Sequence, residues 1–348
     1  MGRWASAFQI AAVYVGTVVG AGFATGKEIV EFFTRFGVYG CAMILAGGGV
    51  FIIMGTKLMS MAIDIQAQSY EEMNSYLFGQ VASKVINGIM MLMLIGVCAV
   101  MLSGAGAVFE EHLGLPRTAG LAATILLTYI VMMGGIKGLF AVNVAVVPVM
   151  IGFNLLLSAA AVYDGAFIHL FMDVPDDATL WQAGMRALSY AAFNLALAQA
   201  VLVPVAAQVN DKAAVRLGGI LGGVLLTIIL LSSHIALLTL QDLQLHAIPI
   251  AVLVKRTLNS IYYIYLFIIY GEIFTSIIGN LYGLEMQIKK YWQARRTVIH
   301  ACLLTVIYMI SRVEYGKLLG YLYPAFGYAS LLFLVLLFTK RHKPGARL

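Results

Sequence analysis

Glu272, Thr275 and Ser276 stand at i, i+3 and i+4 in the apolar run Tyr270-Gly-Glu-Ile-Phe-Thr-Ser-Ile-Ile-Gly-Asn-Leu-Tyr-Gly283. On a helix they share one face. Hydroxyls and a carboxylate are hard oxygen ligands, suited to an alkali cation. A carboxylate inside an apolar span is costly and marks a functional site by default. The competing account is structural, because Ser and Thr hydroxyls often bond carbonyls one turn back in their own helix.

A second constellation opens the chain. The run Gly16-Thr-Val-Val-Gly-Ala-Gly-Phe-Ala-Thr-Gly26, followed by Lys27 and Glu28, sits inside an apolar stretch long enough to cross a bilayer. Each interior glycine costs a helix about 1 kcal/mol relative to alanine. Broken backbone at membrane depth survives where it is buried in protein or lines a watery cavity. Such a break frees N–H groups at one half-helix end and carbonyls at the other. The first attract a carboxylate and the second a cation. Close packing of small residues is the plainer explanation of the same glycines. Nucleotide binding fails on spacing, since Gly26-Lys27-Glu28 lacks the Ser or Thr of a P-loop.

A third set, Tyr190, Phe193 and Asn194, places aromatic rings beside an amide, as a pocket for a small amphiphile requires. A buried Tyr and Asn bonded to neighbouring helices would read the same way. Asn87, Asn143, Asn154 and His234 are read as interhelical glue.

These residues must be positioned by membrane helices. The chain is 61% hydrophobic and 11% charged, against roughly 25% charged in soluble domains. Ten spans are expected, approximately at 8–33, 38–62, 82–108, 119–135, 139–162, 183–208, 214–239, 257–284, 297–312 and 316–338. The stretch 63–79 suits a short interfacial helix, and 163–182 reads as an acidic loop. Placing both termini in the cytoplasm gathers most Lys and Arg inside, which fits an even number of spans. The net charge of +6 therefore sets orientation rather than marking a nucleic-acid binder. Cys41, Cys98 and Cys302 lie in apolar segments, with neither a metal motif nor a disulfide framework.

Ten spans divide into five plus five, as inverted repeats at approximately 8–162 and 183–338 within one transmembrane domain, 1–348. The second half would then insert upside down, the plan of many secondary transporters. Segments one and six are expected to be discontinuous, the first at its glycines and the second near Pro204.

On these residues the chain resembles the amino acid–polyamine–organocation transporter superfamily, with its LeuT-type fold. The run Gly-Ala-Gly-Phe-Ala-Thr-Gly-Lys-Glu more closely resembles YkvI-type bacterial membrane proteins, taken to be amino-acid permeases. The resemblance implies that sodium is held by the carbonyls of Gly16 and Val19 with Thr275 and Ser276. It also implies that Gly20, Ala21 and Gly22 line the substrate. Glu272 departs from the sodium-coupled pattern, which has a small residue there. Its carboxylate joins a sodium shell or carries a proton, so Na+ and H+ both stay open as coupling ions. The resemblance further implies a bacterial plasma membrane and alternating access. The expected function is secondary active transport of a small amino acid or amine-like solute, with no cofactor. The alternative is a transporter-like receptor that binds its ligand without accumulating it. An intramembrane enzyme is disfavoured, because no HExxH or GxSxG motif appears.

Overall fold

Sixteen residues with a single glycine and no proline form the first helix, α1 (Arg3–Val18). It stops where the glycines crowd. Val19 is extended (φ −78°, ψ 117°) and its N–H closes the last turn on the Val15 carbonyl. The chain resumes as α2 (Lys27–Phe32) after Gly26, whose φ of 81° favours glycine. Among the described residues, segment one is thus interrupted between Val18 and Lys27. The helix carries on past Gly16, so the break falls later than the start of the glycine run.

The structure, a computed structural model, describes residues 2–19, 23, 25–164, 174, 178–240, 248–313 and 315–340. Gly20, Ala21, Gly22 and the acidic residues Asp173, Asp176 and Asp177 lie outside the described residues.

The remaining helices are α3 (Val38–Asp64), α4 (Tyr70–Phe78), α5 (Ala82–His112), α6 (Arg117–Met133), α7 (Ile136–Asp164) and α8 (Leu180–Val209). They continue as α9 (Lys212–Leu237), α10 (Pro249–Thr257), α11 (Tyr262–Ile288), α12 (Arg296–Ser311) and α13 (Tyr315–Thr339). Among the described residues, six helices are long and apolar enough to cross a membrane, and three shorter apolar ones lie within α6, α12 and α13. The expected interfacial helix is α4.

One expectation is overturned. Segment six is not discontinuous: α8 runs unbroken for 30 residues. Between Met185 and Gln208 it holds no glycine and is rich in Ala and Leu, which are good helix formers. A capping box from Thr179 to Gln182 starts it, and Pro204 sits inside without ending it. A proline removes one backbone bond, too little to interrupt a helix held by packing along its length. It is the most buried of the six long helices.

The core gathers around α1, which packs against α7, α8, α9 and α11. Glycines on α9 permit this closeness. Gly218 and Gly222 lie under Ile10 and Tyr14 of α1, while Gly219 and Gly223 lie against Thr56 and Ile52 of α3. Two small-residue faces on one helix thus bring two neighbours in at once. Within α3, the Phe51 carbonyl, at the start of a π turn (Phe51–Gly55), accepts the Tyr14 hydroxyl at 2.9 Å.

Charged contacts tie one end together. Arg3 pairs with Asp211 at 3.9 Å, Lys212 with Asp64, and Lys290 with Glu72. Lys340 donates to the Tyr76 carbonyl at 3.2 Å. Both ends of the helical body therefore meet at the same face of the bundle. Exposed Trp4, Tyr291 and Trp292 ring that face, and exposed Tyr163, Trp181 and Tyr263 ring the opposite one, as membrane-interface aromatics do.

Candidate functional site

Helix α1 ends at mid-bundle, and the carbonyls of a last turn have no following turn to bond. One of them is met by α11. The Thr275 hydroxyl lies 3.4 Å from the Gly16 carbonyl and 2.9 Å from the carbonyl of Glu272. Both accounts of Thr275 thus hold together: it bonds its own helix and also faces the broken one. Three oxygens, two carbonyl and one hydroxyl, converge there.

Helix α7 packs on the other side of Gly16. Asn143 donates to the Leu139 carbonyl at 2.9 Å, while its Oδ1 is buried with no hydrogen-bond partner among the described residues. That oxygen presses on Gly16, where an added methyl would overlap it. Gly16 is therefore a packing residue as well as a carbonyl donor. Thr17 Oγ1 is likewise buried without a partner, against Gly279 of α11. Orphaned buried oxygens are costly, and a cation would satisfy them.

Val19, Ser276 and Glu272 are buried. Among the described residues, no Lys, Arg or His pairs with Glu272. The Glu272 carbonyl, rather than its carboxylate, is what the hydroxyl of Thr275 touches.

The predicted substrate residues gather elsewhere on α8. Tyr190 stacks among Phe32, Phe33 and Phe51, with ring centroids 5.1, 5.2 and 6.2 Å away. Phe193, on the same face one turn on, lies 4.9 Å from Tyr323 of α13. Asn194 directs its amide to the Tyr190 carbonyl at 2.9 Å, a bond within its own helix. The rings therefore converge with α2, α3 and α13, whereas this Asn194 bond is local.

The residues read as glue behave as glue. Asn87 accepts from Asn74 at 2.8 Å, Asn154 accepts from Ser233 at 2.7 Å, and His234 meets Thr34 at 3.2 Å. Asn143 is the exception, because its free oxygen faces the broken helix. Glu28 was also missed as a site residue. It is buried on α2, with Tyr323 beside it. Its place directly after the glycine break was the available signal.

No family model matches the chain. The chain is 46% identical over 97% of its length to the uncharacterised membrane protein YkvI of Bacillus subtilis (strain 168), covering 96% of that protein. The fold is similar to that of MhsT in complex with L-phenylalanine, with a TM-score of 0.68 and 18% identity over 97% of this chain and 88% of that one. It is also similar to a Na+-coupled sialic acid symporter in a substrate-bound outward-open state, with a TM-score of 0.71 and 15% identity over 97% of this chain and 80% of that one. The fold is thus that of the LeuT-type transporters.

Proposed function

The chain belongs to the family of the membrane protein YkvI, and on that premise we propose that it is a cation-coupled secondary transporter of a small amino acid or amine-like solute. It works by alternating access in a bacterial plasma membrane, with ten spans in two inverted halves and both termini cytoplasmic. The observation that carries this reading is the Thr275 hydroxyl facing the Gly16 carbonyl where α1 breaks. A half-helix end supplies carbonyls that bind a cation only while α1 and α11 stay together. Cation binding and helix position are then linked, which is the requirement for coupling.

Sodium is the proposed coupling ion, held by Gly16 and Val19 carbonyls with Thr275 and Ser276. The unpartnered Asn143 oxygen supports the same site. Tyr190, Phe193 and Asn194, together with Gly20, Ala21 and Gly22, form the proposed substrate site. The lipid bilayer and the solute are the proposed partners, with no nucleic acid and no cofactor.

Uptake of radiolabelled amino acids and amines into proteoliposomes tests the reading, with a sodium gradient and a pH gradient imposed separately. Accumulation driven by inward sodium is expected. Accumulation driven by the pH gradient alone would assign the coupling to a proton on Glu272. Binding without accumulation under either gradient would make the protein a receptor.

A further inference from the structure

Helix α2 carries a buried carboxylate that the cation site does not use. Glu28 is 3% exposed, and Phe32 one turn later is 5% exposed. At i and i+4 they lie on one face of α2. Phe32 packs on the ring of Tyr190, so that face looks onto α8. Tyr323 of α13 lies beside Glu28, and the Tyr323 ring packs on Phe193. A single carboxylate is thus framed by aromatic rings from α2, α8 and α13.

A carboxylate can accept several hydrogen bonds, and one phenol does not neutralise its charge. Among the described residues no Lys, Arg or His forms an ion pair with Glu28. Burying an unpaired charge is expensive, and a bound cationic group would offset that cost. Aromatic faces add their own attraction for cations. A carboxylate beside aromatic rings suits a cationic group better than an anion.

We propose that Glu28, with Tyr190, Phe193 and Tyr323, forms a subsite for the ammonium group of an organic amine with an apolar body. The inference rests on the transport reading and narrows its substrate class. It places recognition of the positive end on the helix after the break, with the apolar body against the phenylalanine rings around Tyr190. The cation site at Gly16 and Thr275 is left to the coupling ion.

The test uses the purified full-length chain and three probes of matched shape: phenethylamine, phenethyl alcohol and 3-phenylpropionate. Binding is read by calorimetry and by thermal shift. The wild-type chain is expected to bind phenethylamine in preference to the other two. Glu28→Gln should lose about tenfold or more of that affinity, the worth of a hydrogen bond to a charged group. Glu28→Asp should recover part of it, and ligand-free melting curves of both variants report their folding. Wild-type affinity for phenethylamine in a folded Glu28→Gln chain would overturn the inference. So would preference for the carboxylate or the alcohol, or failure of phenethylamine to bind the wild-type chain. Sodium-specific stabilisation of the wild-type chain reports separately on the transport reading, so the two can fail independently.

Discussion

The Thr275 hydroxyl and the Gly16 carbonyl lie 3.4 Å apart although 259 positions separate them in the chain. The contact joins the end of a broken helix to the middle of an intact one. It therefore exists only in the arrangement of α1 against α11 seen here. A ligand bound at it must favour that arrangement over any in which the helices part.

Thr275→Ala and Ser276→Ala should each raise the sodium concentration needed for half-maximal uptake, with expression and melting temperature little changed. If sodium is the ion, Glu272→Gln weakens sodium dependence without abolishing binding. If a proton is the ion, Glu272→Gln uncouples uptake from the pH gradient while exchange persists. Paired uptake and exchange assays distinguish these patterns. Unaltered behaviour of Glu272→Gln in both would remove the residue from the mechanism.

Gly16→Ala should destabilise the protein by about 1–3 kcal/mol, the cost of forcing a methyl into a filled space. The obstructing group is the Asn143 side chain. Asn143→Ala placed in the Gly16→Ala background should therefore recover part of the loss in thermal melting. No recovery would mean that the glycine is needed for its backbone alone.

Tyr14→Phe should cost about 1 kcal/mol of stability, the usual worth of one hydrogen bond. The Phe51 carbonyl loses the only side-chain bond seen to it among the described residues. Sodium affinity should be unaffected, because the Tyr14 hydroxyl faces α3 whereas the Gly16 carbonyl faces α11. Urea or thermal unfolding in detergent measures the first effect and a sodium titration the second.

The orientation is checked at Thr179, an exposed residue at the start of α8. With Cys41, Cys98 and Cys302 replaced, Thr179→Cys should react with a membrane-impermeant maleimide in intact cells. Reaction only after permeabilisation would invert the topology.

The sequence made some of this legible and hid the rest for physical reasons. The break after Val18 was visible because glycine density is a local property of the backbone. The cluster at Glu272, Thr275 and Ser276 was visible because helical spacing is local too. The continuity of α8 was misjudged, since a proline near a helix end was read as a stop although packing along the helix overrides it. Asn143 read as ordinary glue because its bond to Leu139 is ordinary, whereas the free oxygen beside Gly16 depends on how α7 meets α1. Glu28 was seen as part of a charged pair after the break. Its burial against Tyr323 required α13, at the far end of the chain, to come alongside.

The broken end of α1 and the hydroxyl face of α11 are proposed to hold a sodium ion. The most direct measurement is the thermal stability of the purified chain in NaCl against KCl and choline chloride at equal ionic strength. Ligand binding to the native state alone stabilises it by RT ln(1 + [L]/Kd), about 2.7 kcal/mol at a hundredfold excess over Kd. The account predicts a saturable rise in melting temperature with sodium only, weakened in Thr275→Ala and Ser276→Ala. Equal melting in all three salts, or a sodium effect that the two variants leave intact, would contradict it.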